Sequence, residues 1–304
     1  MTILEKNKRE RVVVFIPAFN EEKTIASAIE KTLALYSEEY TRSKGYSLEL
    51  LVVNDGSTDA TEKIANGKGV KVVSHYRNLG LGAATRTAME TAYEMGASVA
   101  VKLDADLQHD PADIEKVIIP ILEDRADICW GSRFAGRITY KMPLIRFIGN
   151  KFFTWLMNRL TDYTISDAQT GLMAYGKRYL RVFELHGNYN PPQQLLVDAN
   201  NKGMRYAEVP VVFNQRTEGH SFISLKYPFK VIPNILRVIT YSNPLKVFGI
   251  LGGMMILLSL VVTALWLSDV IMEFPDTTVL LLSLSGLQTF FFGVLADIII
   301  KKRK

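Results

Sequence analysis

Two long runs without a charged residue close the sequence, and they limit the fold more than any other feature. Val247–Leu267 and Val279–Ala296 contain no Asp, Glu, Lys or Arg. As a helix the first is about 31 Å long at ~1.5 Å per residue, enough to cross a hydrocarbon layer. The second reaches that length by running on through Ile298, Ile299 and Ile300. Asp297 then sits at the membrane edge one turn before Lys301, where an i,i+4 pair softens its cost. The competing reading, two buried helices of a soluble core, fits poorly with two adjoining runs of this kind. Lys246 precedes the first run and Lys301, Lys302, Arg303 and Lys304 follow the second. The connecting loop carries Asp269, Glu273 and Asp276 and no basic residue. By the positive-inside rule the hairpin is a multi-pass anchor with both termini in the cytoplasm. Met1–Arg11 is charged and has no apolar stretch, so it does not read as a signal peptide.

The remaining residues, 1–246, must then face the cytosol. The chain of 304 residues carries 36 Lys and Arg against 31 Asp and Glu. The four basic residues beyond Lys246 are matched by four acidic ones, so the net +5 lies in 1–246. That excess suits anionic headgroups or phosphorylated substrates and is too small to argue for nucleic acid. With 48 % hydrophobic residues the chain is not a disordered one. A single cysteine, Cys129, excludes a disulfide framework and multi-cysteine metal sites, and its place in the apolar run ADICW makes it core.

Strand-like and helix-like segments alternate along the first hundred residues. Strands are expected at Arg11–Ile16, Leu48–Val53, Val70–Ser74 and Ser98–Leu103, and helices at Glu21–Leu35, Thr58–Ala65 and Gly82–Glu94. This pattern predicts an α/β domain with a mostly parallel sheet, whose ligands bind beyond the carboxyl ends of the strands. Those ends are polar. The first is followed by Pro17-Ala18-Phe19-Asn20-Glu21-Glu22, the second by Asn54-Asp55-Gly56-Ser57-Thr58-Asp59, and the fourth by Asp104-Ala105-Asp106-Leu107-Gln108-His109-Asp110-Pro111. In extended geometry Asp104 and Asp106 point the same way. Two such carboxylates repel unless a cation lies between them. Hard oxygen donors favour Mg²⁺ or Mn²⁺, ions that hold diphosphates, and Gln108 adds a neutral oxygen at the same spacing. The alternative is a solvated loop with helix caps.

Taken together and in this order, IPAFNEE, VVNDGSTDAT and LDADLQHDP resemble glycosyltransferase family 2, from about Val12 to Phe213. The resemblance implies a GT-A nucleotide-sugar-binding fold. Gly131–Phe134 (GSRF), Asp167–Gly171 (DAQTG) and the C-terminal hairpin are most similar to the dolichol- or polyprenyl-phosphate sugar synthases. Absence of an Arg-Trp pair argues against the processive polysaccharide synthases. The resemblance implies that Pro17, Ala18, Asn20 and Glu21 line the nucleotide pocket, that Asp55 contacts base or ribose, and that Arg77–Gly82, with Gly80, closes over the nucleotide. It implies that Asp104, Asp106 and Gln108 hold a metal ion and the diphosphate. Arg133, Arg146 and Asn150 match positions that meet the acceptor phosphate, and Asp167 lies near the acceptor or serves as a turn residue. Arg216 lies in RTEGHS, similar to a loop that covers the donor, although Phe222 stands where that loop has Lys and Lys226 is a distant substitute.

The implied reaction is an inverting transfer of a hexose from a UDP-hexose or GDP-mannose to dolichyl or polyprenyl phosphate. DAQTG leans it toward UDP-linked sugars and DADLQHDP toward mannose. Pro143–Leu160 and Leu225–Tyr241 mix aromatics with basic residues, as helices in the headgroup plane do, or else pack on the sheet. The expected layout is a catalytic domain at 1–220, an interfacial segment at 221–246, a hairpin at 247–300 and a basic tail at 301–304, with self-association of the hairpin plausible. Gly80-x-Gly82 lacks a third glycine and is no dinucleotide fingerprint. His109 is a loop residue or approaches the metal. His75, His186 and His220 have no acid partner at meaningful spacing. Two rivals are a phosphohydrolase with Asp104 as nucleophile, disfavoured because its Asp-x-Asp normally follows a first strand, and a nucleotide-sugar-binding subunit without turnover.

Overall fold

The computed structural model describes residues 9–185, 188, 191–215, 240, 244–268, 270, 273 and 275–301. Arg216, Phe222, Lys226, His186, His220 and nearly all of the 225–241 stretch lie outside them. The chain divides into two compact units, Met1–Ile223 and Ser224–Lys304.

The first unit runs β1 (Glu10–Ala18), α1 (Ile25–Leu35), α2 (Glu38–Ser43), β2 (Tyr46–Asn54), α3 (Thr61–Gly67), β3 (Lys71–Ser74), α4 (Leu81–Glu94) and β4 (Val99–Lys102). A short 3-10 turn (Pro111–Asp113) leads into α5 (Ile114–Leu122) and β5 (Ile128–Ile138). Then follow α6 (Leu144–Leu160), β6 (Met173–Gly176), α7 (Lys177–Leu180), α8 (Pro191–Asn201) and β7 (Tyr206–Phe213). The seven strands form one sheet in the order β3-β2-β1-β4-β6-β5-β7. β1 pairs in parallel with β2 and β4, and its residues Val12 to Ala18 are all buried. A central parallel strand is covered on both faces, which is why it reads as one continuous apolar run. Two helices start three or more residues later than the sequence suggests. Asn20 takes φ 56°, and Glu21 O accepts from Thr24 N and Ile25 N, so α1 begins after a turn at Ile25. Asp59 Oδ1 accepts from Thr61 N at 3.0 Å, so α3 starts at Thr61 and not Thr58.

This topology gathers the motifs. The chain leaves β1 to one side for β2 and β3, then returns to the other side for β4, so a crevice opens between the ends of β1 and β4. β6 runs antiparallel to both β4 and β5. Its entry, preceded by Asp167–Gly171, therefore lies at the same edge as the exits of β4 and β5. β7 is parallel to β5 and delivers Phe213 to that edge as well.

The second unit is a pair of long helices, α9 (Pro244–Leu267) and α10 (Asp276–Lys301). Both are long and apolar enough to cross a membrane, and only 11 % of the most apolar window of each is buried. The helices touch through glycines. A Cβ on Gly252 would lie 2.5 Å from Gly286 O, and one on Gly286 would lie 2.8 Å from Gly252 O. Ser259 Oγ donates to Val279 O at 3.1 Å and lies 2.8 Å from Ser283 Oγ, so its polar atoms are satisfied between the helices.

Candidate active site

The first two motifs are stitched to each other. Asn20 N donates to Ser57 Oγ at 3.0 Å, and Asn20 Oδ1 accepts from Thr58 N at 2.9 Å. Glu21 N donates to Thr61 Oγ1, and Glu22 N to Asp59 Oδ2. Asp55, 3 % exposed, anchors the next loop. Its Oδ1 accepts from Leu79 N at 3.0 Å and its Oδ2 from Gly80 N at 2.8 Å. Asp55 N donates in turn to Ala18 O, next to Pro17 at the end of β1. Gly56 is required here: at φ 68° a Cβ would sit 2.2 Å from the carbonyl carbon of Arg77. His75 has an acid partner after all. Its Nδ1 lies 2.7 Å from Asp55 Oδ1, and its Nε2 lies 3.0 Å from Thr87 Oγ1. The pairing spans twenty residues and is made by the parallel register of β2 and β3, which spacing along the chain does not reveal.

The acidic motif is a turn, not an extension of the strand. β4 ends at Lys102, and Leu107 adopts φ 58°. Asp104 forms an ion pair with Lys102, whose ammonium also donates to Gly171 O at 3.4 Å. Asp106 Oδ1 accepts from Gln108 N at 3.1 Å. Gln108 Nε2 donates to Asn214 O, and Asn214 N donates to Gln108 O at 2.7 Å. His109 is 1 % exposed, and its Nε2 accepts from Gly171 N at 3.1 Å. Burial, with Arg133 and Lys102 nearby, pushes its pKa down to about 3, so the ring is neutral with the proton on Nδ1. With Nε2 taken by Gly171 N, that nitrogen is not open to a metal ion. Among the described residues no three Asp, Glu, His or Cys side chains are arranged to hold a metal. The donor set of Asp104, Asp106 and Gln108 is nevertheless all oxygen. Such a set fits Mg²⁺ or Mn²⁺, which takes one or two carboxylates and completes its shell with substrate phosphate and water.

Beyond β6 lies a basic cluster. Arg133 and Asp167 are 3 % and 0 % exposed. Arg133 Nε donates to Asp167 Oδ2 at 2.6 Å and Nη2 to Oδ1 at 2.8 Å, a bidentate fork. Asp167 also accepts from Arg133 N, Gln169 N and Asn150 Nδ2. Burial raises its pKa, but the bonds and charge of Arg133 outweigh that and hold the carboxyl below its ordinary range. Asp167 is thus both a turn residue, through Gln169 N, and the holder of Arg133. Phe213 packs against two guanidiniums, with Arg133 4.9 Å and Arg146 5.7 Å from its centroid. The His109 ring lies 4.9 Å from it, so Phe213 joins the acidic turn to the basic cluster. Glu208 on β7 accepts from Ser166 N and Asp167 N and fixes the turn from below. Sequence reading had not singled out Lys102, Phe213 or Glu208. A lysine inside the apolar run VAVKL was the one visible signal among them.

The fold and motifs define a glycosyltransferase of the GT-A type. Residues 13–183 match glycosyl transferase family 2, and the chain belongs to that family and is a glycosyltransferase. It is 34 % identical over 221 residues to a UDP-N-acetylglucosamine–dolichyl-phosphate N-acetylglucosaminyltransferase of Methanococcus voltae, covering 66 % of this chain and 84 % of that one. It is 29 % identical over 304 residues to a dodecaprenyl-phosphate galacturonate synthase of Rhizobium johnstonii, covering 93 % and 86 %. The fold is similar to that of glucosyl-3-phosphoglycerate synthase from Mycobacterium tuberculosis, solved with Mn²⁺, UDP-glucose and phosphoglyceric acid. The TM-score is 0.57 at 21 % identity, over 78 % of this chain and 80 % of the other.

Proposed function

We propose that the protein transfers a hexose from a UDP-hexose or GDP-mannose to dolichyl or another polyprenyl phosphate, with inversion, at the cytoplasmic face of a membrane. One observation carries this reading: α6 has two faces that serve one acceptor. Leu144, Ile145, Ile148, Phe152 and Trp155 are exposed on it, at 49–72 %. Its other side buries Asn150, which donates to the Asp167 that grips Arg133. An acceptor that is apolar at one end and anionic at the other fits a helix of this kind. The relatives from Methanococcus voltae and Rhizobium johnstonii are named for dolichyl and dodecaprenyl phosphate, which supports the same class of acceptor.

The reaction asks little acid–base chemistry of the protein. A lipid monophosphate has a second pKa of about 6 and is mostly ionised at neutral pH, so it needs no general base. Arg146, which also donates to Tyr140 Oη at 3.3 Å, meets the acceptor phosphate, with Arg133 behind it as a fixed charge. Pro17, Ala18, Asn20, Glu21 and the Arg77–Gly80 loop held by Asp55 enclose the nucleotide. Asp104, Asp106 and Gln108 would hold Mg²⁺ or Mn²⁺, which supplies charge neutralisation at a departing diphosphate. The rest is proximity and fixed electrostatics.

Full-length protein with dolichyl or undecaprenyl phosphate, offered UDP-glucose, UDP-N-acetylglucosamine and GDP-mannose in turn, should move labelled sugar into the lipid fraction. Transfer should require a divalent cation. Tight donor binding with no lipid product from any of them would leave a binding subunit instead. Arg146→Ala should raise the KM for lipid far more than that for nucleotide sugar, and the reverse order would contradict the placement of the acceptor.

A further inference from the structure

We propose that Lys102 is a positioning residue that makes divalent-cation binding at the acidic turn depend on the nucleotide diphosphate. The inference rests on the metal reading given above. Lys102 is the last residue of β4, in register with Phe15 of β1 and Met173 of β6, so it stands in the middle of the sheet. Its side chain is 2 % exposed. A lysine is almost never buried to that extent without a partner, because an unpaired ammonium away from water is costly. The partners here are Asp104 Oδ1 and Gly171 O. The other oxygen of Asp104 rests on Gly171, where a Cβ would come within 2.0 Å of it. One oxygen is thus taken by an ammonium, and the other lies against bare backbone on a side chain that is 33 % exposed.

Two consequences follow from charge alone. Lys102 cancels the negative charge of Asp104, so that carboxylate attracts a divalent cation less than an unpaired one would. A dication bound by Asp104 would also feel the fixed positive charge of Lys102, whose side chain is shielded from solvent although that of Asp104 is 33 % exposed. A nucleoside diphosphate brings the negative charge that reverses this balance. Cation and nucleotide therefore strengthen each other, and linkage makes the effect reciprocal. Asp106 and Gln108 contribute the same donors in either state. Lys102 decides whether Asp104 contributes before the nucleotide arrives.

The test is Mn²⁺ binding, read from the electron-spin-resonance signal of the free ion, on full-length protein in detergent with and without UDP, and with GDP in parallel. In the wild type, nucleotide should tighten Mn²⁺ binding at least tenfold. Lys102→Met should bind Mn²⁺ alone at least fivefold more tightly than wild type and show a nucleotide effect below threefold. Lys102→Arg, which keeps the charge, should behave as wild type. If the methionine variant does not fold, Lys102→Gln carries the same expectation, because it removes the charge and keeps a donor for Gly171 O. Neutral variants that bind Mn²⁺ alone no more tightly than wild type overturn the proposal. So does a wild type that binds Mn²⁺ equally with and without nucleotide, although that result leaves the metal reading standing. A wild type that takes up no Mn²⁺ with either nucleotide overturns the metal reading itself.

Discussion

Replacing Asp167 separates the structural from the functional work of the basic cluster. Asp167→Asn removes the charge that Arg133 forks onto and turns an amide donor toward a guanidinium that has only donors. Both side chains are buried, at 0 % and 3 % exposure, so solvent does not compensate. Breaking a buried pair by removing one partner costs about 3–5 kcal/mol, and that is the expected loss of stability. Arg133→Met/Asp167→Asn removes both charges and keeps the same amide, so no unpaired guanidinium is left. One amide oxygen cannot serve all that Asp167 accepts from the main-chain N of residue 133, Gln169 N and Asn150 Nδ2. At ~1–3 kcal/mol for each buried group left unsatisfied, the double variant should not reach wild type. It should nevertheless be more stable than Asp167→Asn by roughly 1–2 kcal/mol, because both variants share that loss and only the single one also buries an unpaired charge. Urea unfolding of detergent-solubilised protein measures this, and lipid-transfer assays on the same samples should show both variants inactive. A double variant less stable than Asp167→Asn would refute the energetic argument. One that transfers sugar at near wild-type rate would refute the assignment of Arg133 to the acceptor.

Three further outcomes follow from the same geometry. His109 has a folded pKa of about 3 against an ordinary 6.5, so the unfolded chain binds its proton first and stability should rise with pH between those values. The slope is at most about 1.4 kcal/mol per pH unit, and His109→Gln should flatten the stability–pH curve there, while the lowered Asp167 carboxyl adds a loss of the same sign only in more acid solution. Gly171→Ala should displace Asp104, 2.0 Å from the new Cβ, and cut transfer by roughly a hundredfold, as removal of a group that stabilises the transition state does; activity near wild type would show that Asp104 can sit elsewhere. Replacing exposed Phe152 and Trp155 together by Ser should leave stability within about 0.5 kcal/mol, yet weaken binding to anionic vesicles and raise the KM for lipid; unchanged vesicle binding would remove α6 from the membrane surface.

Much of the first half of the chain was legible because its signals are local. An apolar run such as VVVFI admits little but an inner strand, and the polar residues at the strand ends marked the edge where a parallel sheet puts its chemistry. The two apolar runs likewise became helices close to their expected limits, α9 and α10. What stayed hidden depends on partners far apart in sequence. His75 meets Asp55 only once β2 and β3 are in register. Glu208 holds residues 166–167 from a strand forty residues later. Phe213 acquires its meaning from Arg133, Arg146 and His109, none of them near it in the chain. β6 is four residues long and runs against its neighbours, and nothing in Met-Ala-Tyr-Gly announces its direction.

That reversed strand divides the sheet along a single seam. On the proposed reading, β1 to β4 carry the nucleotide pocket and the acidic turn, and β5 to β7 with α6 carry the groups that meet the acceptor. The two halves meet at the short β4–β6 border, and α5 and the acidic turn also reach across it, through Asp113 to Val212 N and Gln108 to Asn214 N. Natural variation on the far side of the border can therefore exchange one recipient molecule for another without disturbing how the activated sugar is gripped.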